Sequence, residues 1–255
     1  MSEEAVLIER RDGVLIAKLN RPERRNAINR ALCEQLMAAV AEVDETPSLR
    51  AGVLASSTVG MFCAGADLQA MSRGELVNAD GSPLTTFSGA EHRKPWIAAC
   101  TGPVMGGGLE HALACEMIVG GEGATFGVPE VKRGLLAAGG GVFRLRRAIP
   151  RAVAMEMVLT GGAVGARRAY DLGLINRVAP DAEAVDVALE LAAQIAAAAP
   201  GAVRESLAIL NQATDLPEAE LWALTREGQG RLKEHPDFKE GVAAFLEKRK
   251  PVWTG

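Results

Sequence analysis

Apolar and polar positions change their period several times along the chain, and each change marks an element. "AVLIERRDGVLIAKLN" carries two short apolar runs around Asp12-Gly13, which predicts a β-hairpin over 5–10 and 14–19. In the stretch that follows, Leu32, Leu36, Val40 and Val43 recur every three or four residues, so an amphipathic helix of about four turns is expected. "LRAGVLAS" and "KPWIAACTG" are short continuous apolar runs, as buried strands are. "MFCAGADLQAM" reads as a strand end, a glycine turn and a helix start. Strand, glycine turn and helix therefore follow one another at least twice, which implies an α/β fold with largely parallel strands.

Residues 71–87, "MSRGELVNADGSPLTTF", are polar, hold two glycines and have weak periodicity, and are expected to form a surface loop or short helix over a binding site. From Pro150 the pattern is helical, and 200–249 should hold two or three more helices punctuated by Pro217 and Pro236. This divides the chain into an α/β core, 1–198, and a helical C-terminal region, 199–255.

Composition changes this picture little. The 255 residues are 48% hydrophobic and 24% charged, ordinary for one large globular domain. The net charge of −4 gives no electrostatic reason to expect a nucleic-acid partner. No apolar run approaches the length of a membrane span, and the first residues, "MSEEAVLIERRDG", lack a signal-peptide core, so a soluble, cytoplasmic protein is expected. Cys33, Cys63, Cys100 and Cys115 sit among small apolar residues with no C-x-x-C pair, as buried free thiols do in a reducing compartment. With only His92, His111 and His235 and no H-E-x-x-H, no metal site is expected; His111 adjoins Glu110, but neighbouring helix positions point apart.

The chemistry concentrates in the glycine turns. "MGGGLEHALACEMIV" spends three consecutive glycines before an acidic residue in a first helical turn, and glycine runs usually mean close approach of backbone to something. A phosphate at such a turn is one reading, but "GGGLEH" has neither the Lys-Ser/Thr of a P-loop nor the third glycine of a dinucleotide fingerprint. The other reading pairs "CAGADL" with "MGGGLE": two backbone N–H groups at helix starts could converge on one carbonyl oxygen as an oxyanion hole. Glu110 lies near the second turn, and "FGVPEVKRG" supplies Glu130 twenty residues on, at an expected strand end. Two carboxylates beside a carbonyl-polarising site suit general acid and base work. Each also has a plainer reading, Glu110 as a favourable charge on the helix dipole and Glu130 as a surface partner of Lys132 or Arg133.

At these residues the chain resembles the crotonase superfamily, the enoyl-CoA hydratases and isomerases, over essentially its whole length. "LNRPERRNAIN", "FCAGADL", "GGGLEHALACEMIV", "FGVPEVKRGLLAAGGGVFRL", "GARRAYDLGLINRV" and "FKEGVAAFLEKRKPVW" carry the likeness. "PEVKRGLLAAGGGVFRL", "MEMVLTG" and "EKRKPVW" narrow it towards the carnitinyl-CoA dehydratases (crotonobetainyl-CoA hydratases).

The resemblance implies a spiral of βαβ units with a helical C-terminal trimerisation region, and a homotrimer or homohexamer. It implies oxyanion donors at Ala66 and Gly107 and catalytic glutamates at Glu110 and Glu130. CoA contacts would come from Arg24, Ala64, Asp67 and Leu68, with Phe245 and Lys248 reaching from the tail. The activity implied is reversible syn addition of water to a 2-enoyl-CoA, with the acyl-CoA as substrate, no separate cofactor, and neither nucleic acid nor membrane as partner. An enoyl-CoA isomerase or a non-catalytic acyl-CoA binder are the alternatives. A trimethylammonium-bearing acyl group would want aromatic faces or a carboxylate, and Trp96 and Phe87 are the aromatic candidates.

Overall fold

A computed structural model describes residues 4–76 and 86–255. The hairpin forms as expected, β1 (Val6–Arg11) antiparallel to β2 (Val14–Leu19), with Asp12 and Gly13 both at positive φ in the turn. Helix α1 (Arg30–Glu45) follows, its first turn capped by the Asn29 side chain, which accepts from the Leu32 N–H at 3.0 Å. Then come β3 (Ala51–Ser56), the short α2 (Leu68–Ser72) and β4 (Trp96–Cys100). Beyond β4 lie β5 (Pro103–Met105), α3 (Gly107–Ala112), β6 (Met117–Gly121) and β7 (Thr125–Gly127). The helical stretch comprises α4 (Gly141–Ala148), α5 (Arg151–Thr160) and α6 (Ala166–Asp171), with β8 (Ala163–Gly165) and β9 (Arg177–Ala179) interposed. After α7 (Ala184–Ala196), the tail holds α8 (Pro200–Gln212), α9 (Glu218–Glu234) and α10 (Pro236–Glu247). Pro217 caps α9 and Pro236 opens α10, the two punctuation points read from the sequence.

The larger sheet runs β1-β2-β3-β4-β6-β9, parallel throughout apart from the opening hairpin. Its inner strands β2, β3 and β4 are apolar on both faces because both are covered. Leu15, Ala17 and Leu19 of β2 meet Leu32, Leu36, Val40 and Val43 of α1 on one side. Val14 and Ile16, the alternate positions, join Ala184, Ala188 and Ala192 of α7 on the other. The Ala-rich face of α7 is thus what lets a helix lie close on this sheet. All four cysteines are free and buried, as expected.

The smaller sheet positions the site. In it β5 runs parallel to β7, and β7 antiparallel to β8. Cys63 makes a parallel bridge to Val104 of β5, so three chain segments, 63–66, β5 and β7, point their C-terminal ends the same way. Ligands of parallel α/β layers bind beyond such ends.

Candidate active site

Each of those three segment ends delivers one part of the site. After the Cys63 bridge the chain turns at Gly65, φ +99°, into Ala66, which is bridged in parallel to Ile28. The bridge uses Ile28 N–H to Gly65 O (2.8 Å) and Asp67 N–H to Ile28 O (2.9 Å), leaving the Ala66 N–H without a partner among the described residues. After β5 the chain turns at Gly106, φ +54°, into α3, whose first residue is Gly107 and whose fourth is Glu110. After β7 it enters a 3₁₀ turn, Pro129–Arg133, that carries Glu130. Glu130 was expected at a strand end; Pro129 at the first position of the turn and Gly134 at its left-handed C-cap curl that end into 3₁₀ instead.

The glycine triplet is explained by what a side chain there would strike. A Cβ on Gly106 would sit 2.6 Å from Glu130 Oε1. One on Gly108 would sit 2.6 Å from the Cys63 carbonyl, and one on Gly107 would sit 2.7 Å from Ile28 Cδ1 and 3.6 Å from the Ala66 nitrogen. Bare backbone therefore lets the two turns touch, and puts the amides of Ala66 and Gly107 side by side at the wall of one cavity of about 680 Å³. Ile28, Met71, Phe143 and Glu110 share that wall.

Glu110 is buried and held from across the cavity. Its Oε1 accepts from the Gly141 N–H, the first amide of α4, at 2.9 Å. Burial pushes its carboxyl above the ordinary carboxylate range, as does the nearby charge of Glu130, while the amides of Gly141 and Gly139 and the Arg144 guanidinium pull the other way. Glu130, half-buried, is also raised by burial, opposed by its own amide and by Arg133. Its Oε2 is shut away from solvent and has no hydrogen-bond partner among the described residues, the surroundings of a carboxyl that keeps its proton. Its other oxygen, Oε1, stands beside the Gly106 turn, next to the Gly107 amide's end of the cavity.

The other expected residues lie elsewhere. Asp67 is occupied as the cap of α2, accepting from the Gln69 and Ala70 amides at 3.1 Å each and pairing with Arg21 at 3.4 Å. Arg24 donates to Gln69 at 3.3 Å on the surface; Ala64 and Leu68 are exposed beside it. Phe245, 83% exposed, and Lys248, at the C-cap of α10, are not in the cavity wall. Trp96 and Phe87, the candidate cation-binding aromatics, are both fully buried and do not line the cavity, so the aromatic reading fails for them. Of the loop 71–87, residues 77–85 lie outside the described residues, while Met71, Leu76 and Thr86 border the cavity.

Sequence reasoning missed Ser88, His111 and Arg144, which also line the wall. His111 was read as pointing away from Glu110, yet both border the same space, because α3 ends after little more than one turn and is enclosed on all sides. Asn26, buried at φ +53°, is a further missed residue. Its amide donates to Ser56 Oγ (2.9 Å) and the Phe62 carbonyl (2.8 Å) and its Oδ1 accepts from Arg21 N–H (2.8 Å), fastening the first motif to the Ala66 turn. Among the described residues no helix is long and apolar enough to cross a membrane, and no cluster of three or more His, Cys, Asp or Glu could hold a metal.

Two glycine turns meeting ahead of helices, beside the buried Glu110 and the half-buried Glu130 and at the ends of parallel strands, are the arrangement of a crotonase fold. The model of the enoyl-CoA hydratase/isomerase family matches residues 9–255, and the chain belongs to that family. It is 36% identical to a carnitinyl-CoA dehydratase of Escherichia coli over 99% of both chains. An enoyl-CoA hydratase structure from Mycobacterium tuberculosis superposes with a TM-score of 0.94 at 40% identity, covering 99% of this chain and 100% of that one. A carnitinyl-CoA hydratase structure from Mycobacterium avium gives 0.78 at 41% identity over 99% of each.

Proposed function

We propose that the protein is an enoyl-CoA hydratase, adding water reversibly and syn across the double bond of a 2-enoyl-CoA. The carrying observation is the contact of the two glycine turns, which sets the Ala66 and Gly107 amides beside one another next to Glu110. The two N–H groups polarise the thioester carbonyl, draw electrons from Cβ and stabilise the enolate-like charge that builds as water attacks. Glu110 takes the proton from the attacking water: the Gly141 amide and Arg144 favour its ionised form. Glu130, with its sequestered Oε2, delivers the proton to Cα. Dehydration runs the same steps backwards. Coenzyme A is part of the substrate and no separate cofactor is used.

Arg24, Ala64 and Leu68 lie on the exposed rim next to the Ala66 turn, where the CoA moiety would leave the cavity. Phe245 and Lys248 contribute to CoA binding from the C-terminal region, 199–255, which assembles the chain as a homotrimer or hexamer in the cytoplasm.

The test is hydration of crotonyl-CoA by Glu110→Gln and Glu130→Gln, each expected to lose roughly 10²–10⁴-fold in kcat with little change in CoA-ester affinity. Wild-type turnover in both variants would refute the acid–base assignment. A 3-enoyl-CoA converted to its 2-enoyl isomer faster than crotonyl-CoA is hydrated would favour isomerase chemistry instead.

A further inference from the structure

His111 is the feature of the cavity that hydration itself does not use. The residue is 2% exposed, it lines the same wall as Glu110, and neither ring nitrogen has a hydrogen-bond partner among the described residues. Its ring packs 5.7 Å from the Phe87 ring, centroid to centroid. Burial holds the imidazole pKa down at about 3, with His92 and Arg144 adding to the effect, so the ring is neutral and offers one N–H and one lone pair. A buried polar group without a partner is destabilising, so a leucine would serve the core better at this position. Both ring nitrogens are covered by protein, and since no hydrogen bond among the described residues fixes either edge, a turn of the ring towards an acyl group would break none. Further polar groups stand in the same wall: Thr86 Oγ1 and Ser88 Oγ, 2.9 Å from one another. Ser88 Oγ and Glu110 Oε2 both flank Gly139, at 2.8 and 2.7 Å from where its Cβ would be.

We infer that His111 is the specificity-determining residue of the acyl pocket, selecting 2-enoyl-CoA esters whose acyl chain carries a hydroxyl at or beyond Cγ. This rests on the hydratase reading for the placement of the acyl chain. A hydroxyl matches a neutral imidazole both ways, accepting from its N–H or donating to its bare nitrogen, and the Thr86–Ser88 pair supplies a second hydroxyl partner. A plain alkyl chain leaves these groups unpaired, which is the situation in which a polar site discriminates most strongly. A quaternary ammonium is disfavoured too: the wall brings the cationic Arg144, tied to the Ser88 carbonyl at 2.6 Å and the Gly139 carbonyl at 3.3 Å. The one phenyl ring in the described wall, Phe143, already has Arg144 and Arg147 over it at 5.7 and 5.5 Å.

The experiment compares binding of three saturated esters by calorimetry, pentanoyl-CoA, its isostere 4-hydroxybutanoyl-CoA, and 4-trimethylammoniobutanoyl-CoA, to wild type and His111→Leu. Hydration of 2-pentenoyl-CoA and 4-hydroxy-2-butenoyl-CoA is measured in parallel. Wild type should favour the hydroxylated ester by roughly threefold to tenfold, the worth of one neutral hydrogen bond, and His111→Leu should abolish or reverse that preference. Should the leucine variant fail to fold, His111→Phe is read in the same way. Equal binding of the isosteres by wild type, a preference that survives in the apolar variant, or tightest binding of the trimethylammonium ester overturns the inference. Binding preference without turnover of either enoyl ester would instead count against the hydratase reading while leaving the pocket assignment standing.

Discussion

Glu110 and Glu130 are carboxyls of the same type, twenty positions apart, in different surroundings: Glu110 is buried and held by the Gly141 amide, whereas Glu130 is half-buried and keeps one oxygen covered and unpaired among the described residues. Both titrate above the ordinary value of 4.5, chiefly because burial disfavours the charged form. A folded-state pKa raised above the unfolded one means the folded chain binds the proton more tightly, so stability falls as pH rises from about 4.5 through the raised values. At neutral pH each of these buried carboxyls is therefore a liability to the fold that serves the reaction, whether it is held charged or made to keep its proton. Glu130→Gln should melt at a higher temperature than wild type at pH 7, with the difference shrinking towards pH 4; a lower melting temperature at pH 7 would contradict the burial argument. Gly139 gives a second test at this scale, since a methyl there would reach 2.7 Å from Glu110 Oε2. Gly139→Ala should leave the fold intact and lower kcat roughly 10²-fold by displacing the carboxylate. Unchanged kcat would show that Glu110 need not hold this position.

At the scale of elements, the hairpin, α1 and the long parallel strands were legible because periodicity reports which faces are covered, and here both sheet faces are. Glu110 was legible because a glycine run before an acidic helix start is unusual. Glu130 was found as a residue but misplaced in structure, since the local pattern of "FGVPEV" does not distinguish a strand from the 3₁₀ turn that Pro129 and Gly134 impose. Ser88 and Arg144 gave no signal, and His111 was marked only as the neighbour of Glu110. Their roles depend on three separate segments closing around one cavity, which no local spacing encodes. Asn26 shows the same limit, because its partners Ser56 and Phe62 lie thirty or more residues away. Asn26→Ala removes these bonds and leaves buried partners unsatisfied, so a loss of about 2–4 kcal/mol in chemical denaturation is expected, together with reduced kcat from a loosened Ala66 turn. A variant as stable and active as wild type would rule out this anchoring role. Asp67→Asn should be tolerated far better than Asp67→Ala, because an amide oxygen still caps α2; equal effects would implicate the charge instead.

Over the whole molecule, the larger sheet and its helices form a buried frame, and the smaller sheet aims three chain ends at one point. The C-terminal helices leave Leu210, Trp222, Phe245 and Leu246 exposed, apolar surface that the proposed assembly would cover. Light scattering should accordingly return three or six times the 26.8 kDa chain mass, and a stable monomer would refute the proposed assembly. The account as a whole stands on the convergence of two amides on a single oxygen. The most direct measurement is a crystal structure with acetoacetyl-CoA bound. The thioester oxygen should accept from both Ala66 and Gly107 N–H groups at about 2.7–3.1 Å, with Glu110 and Glu130 flanking the acyl carbons. A thioester oxygen bonded to neither amide, or to one alone with the other turned away, would contradict it.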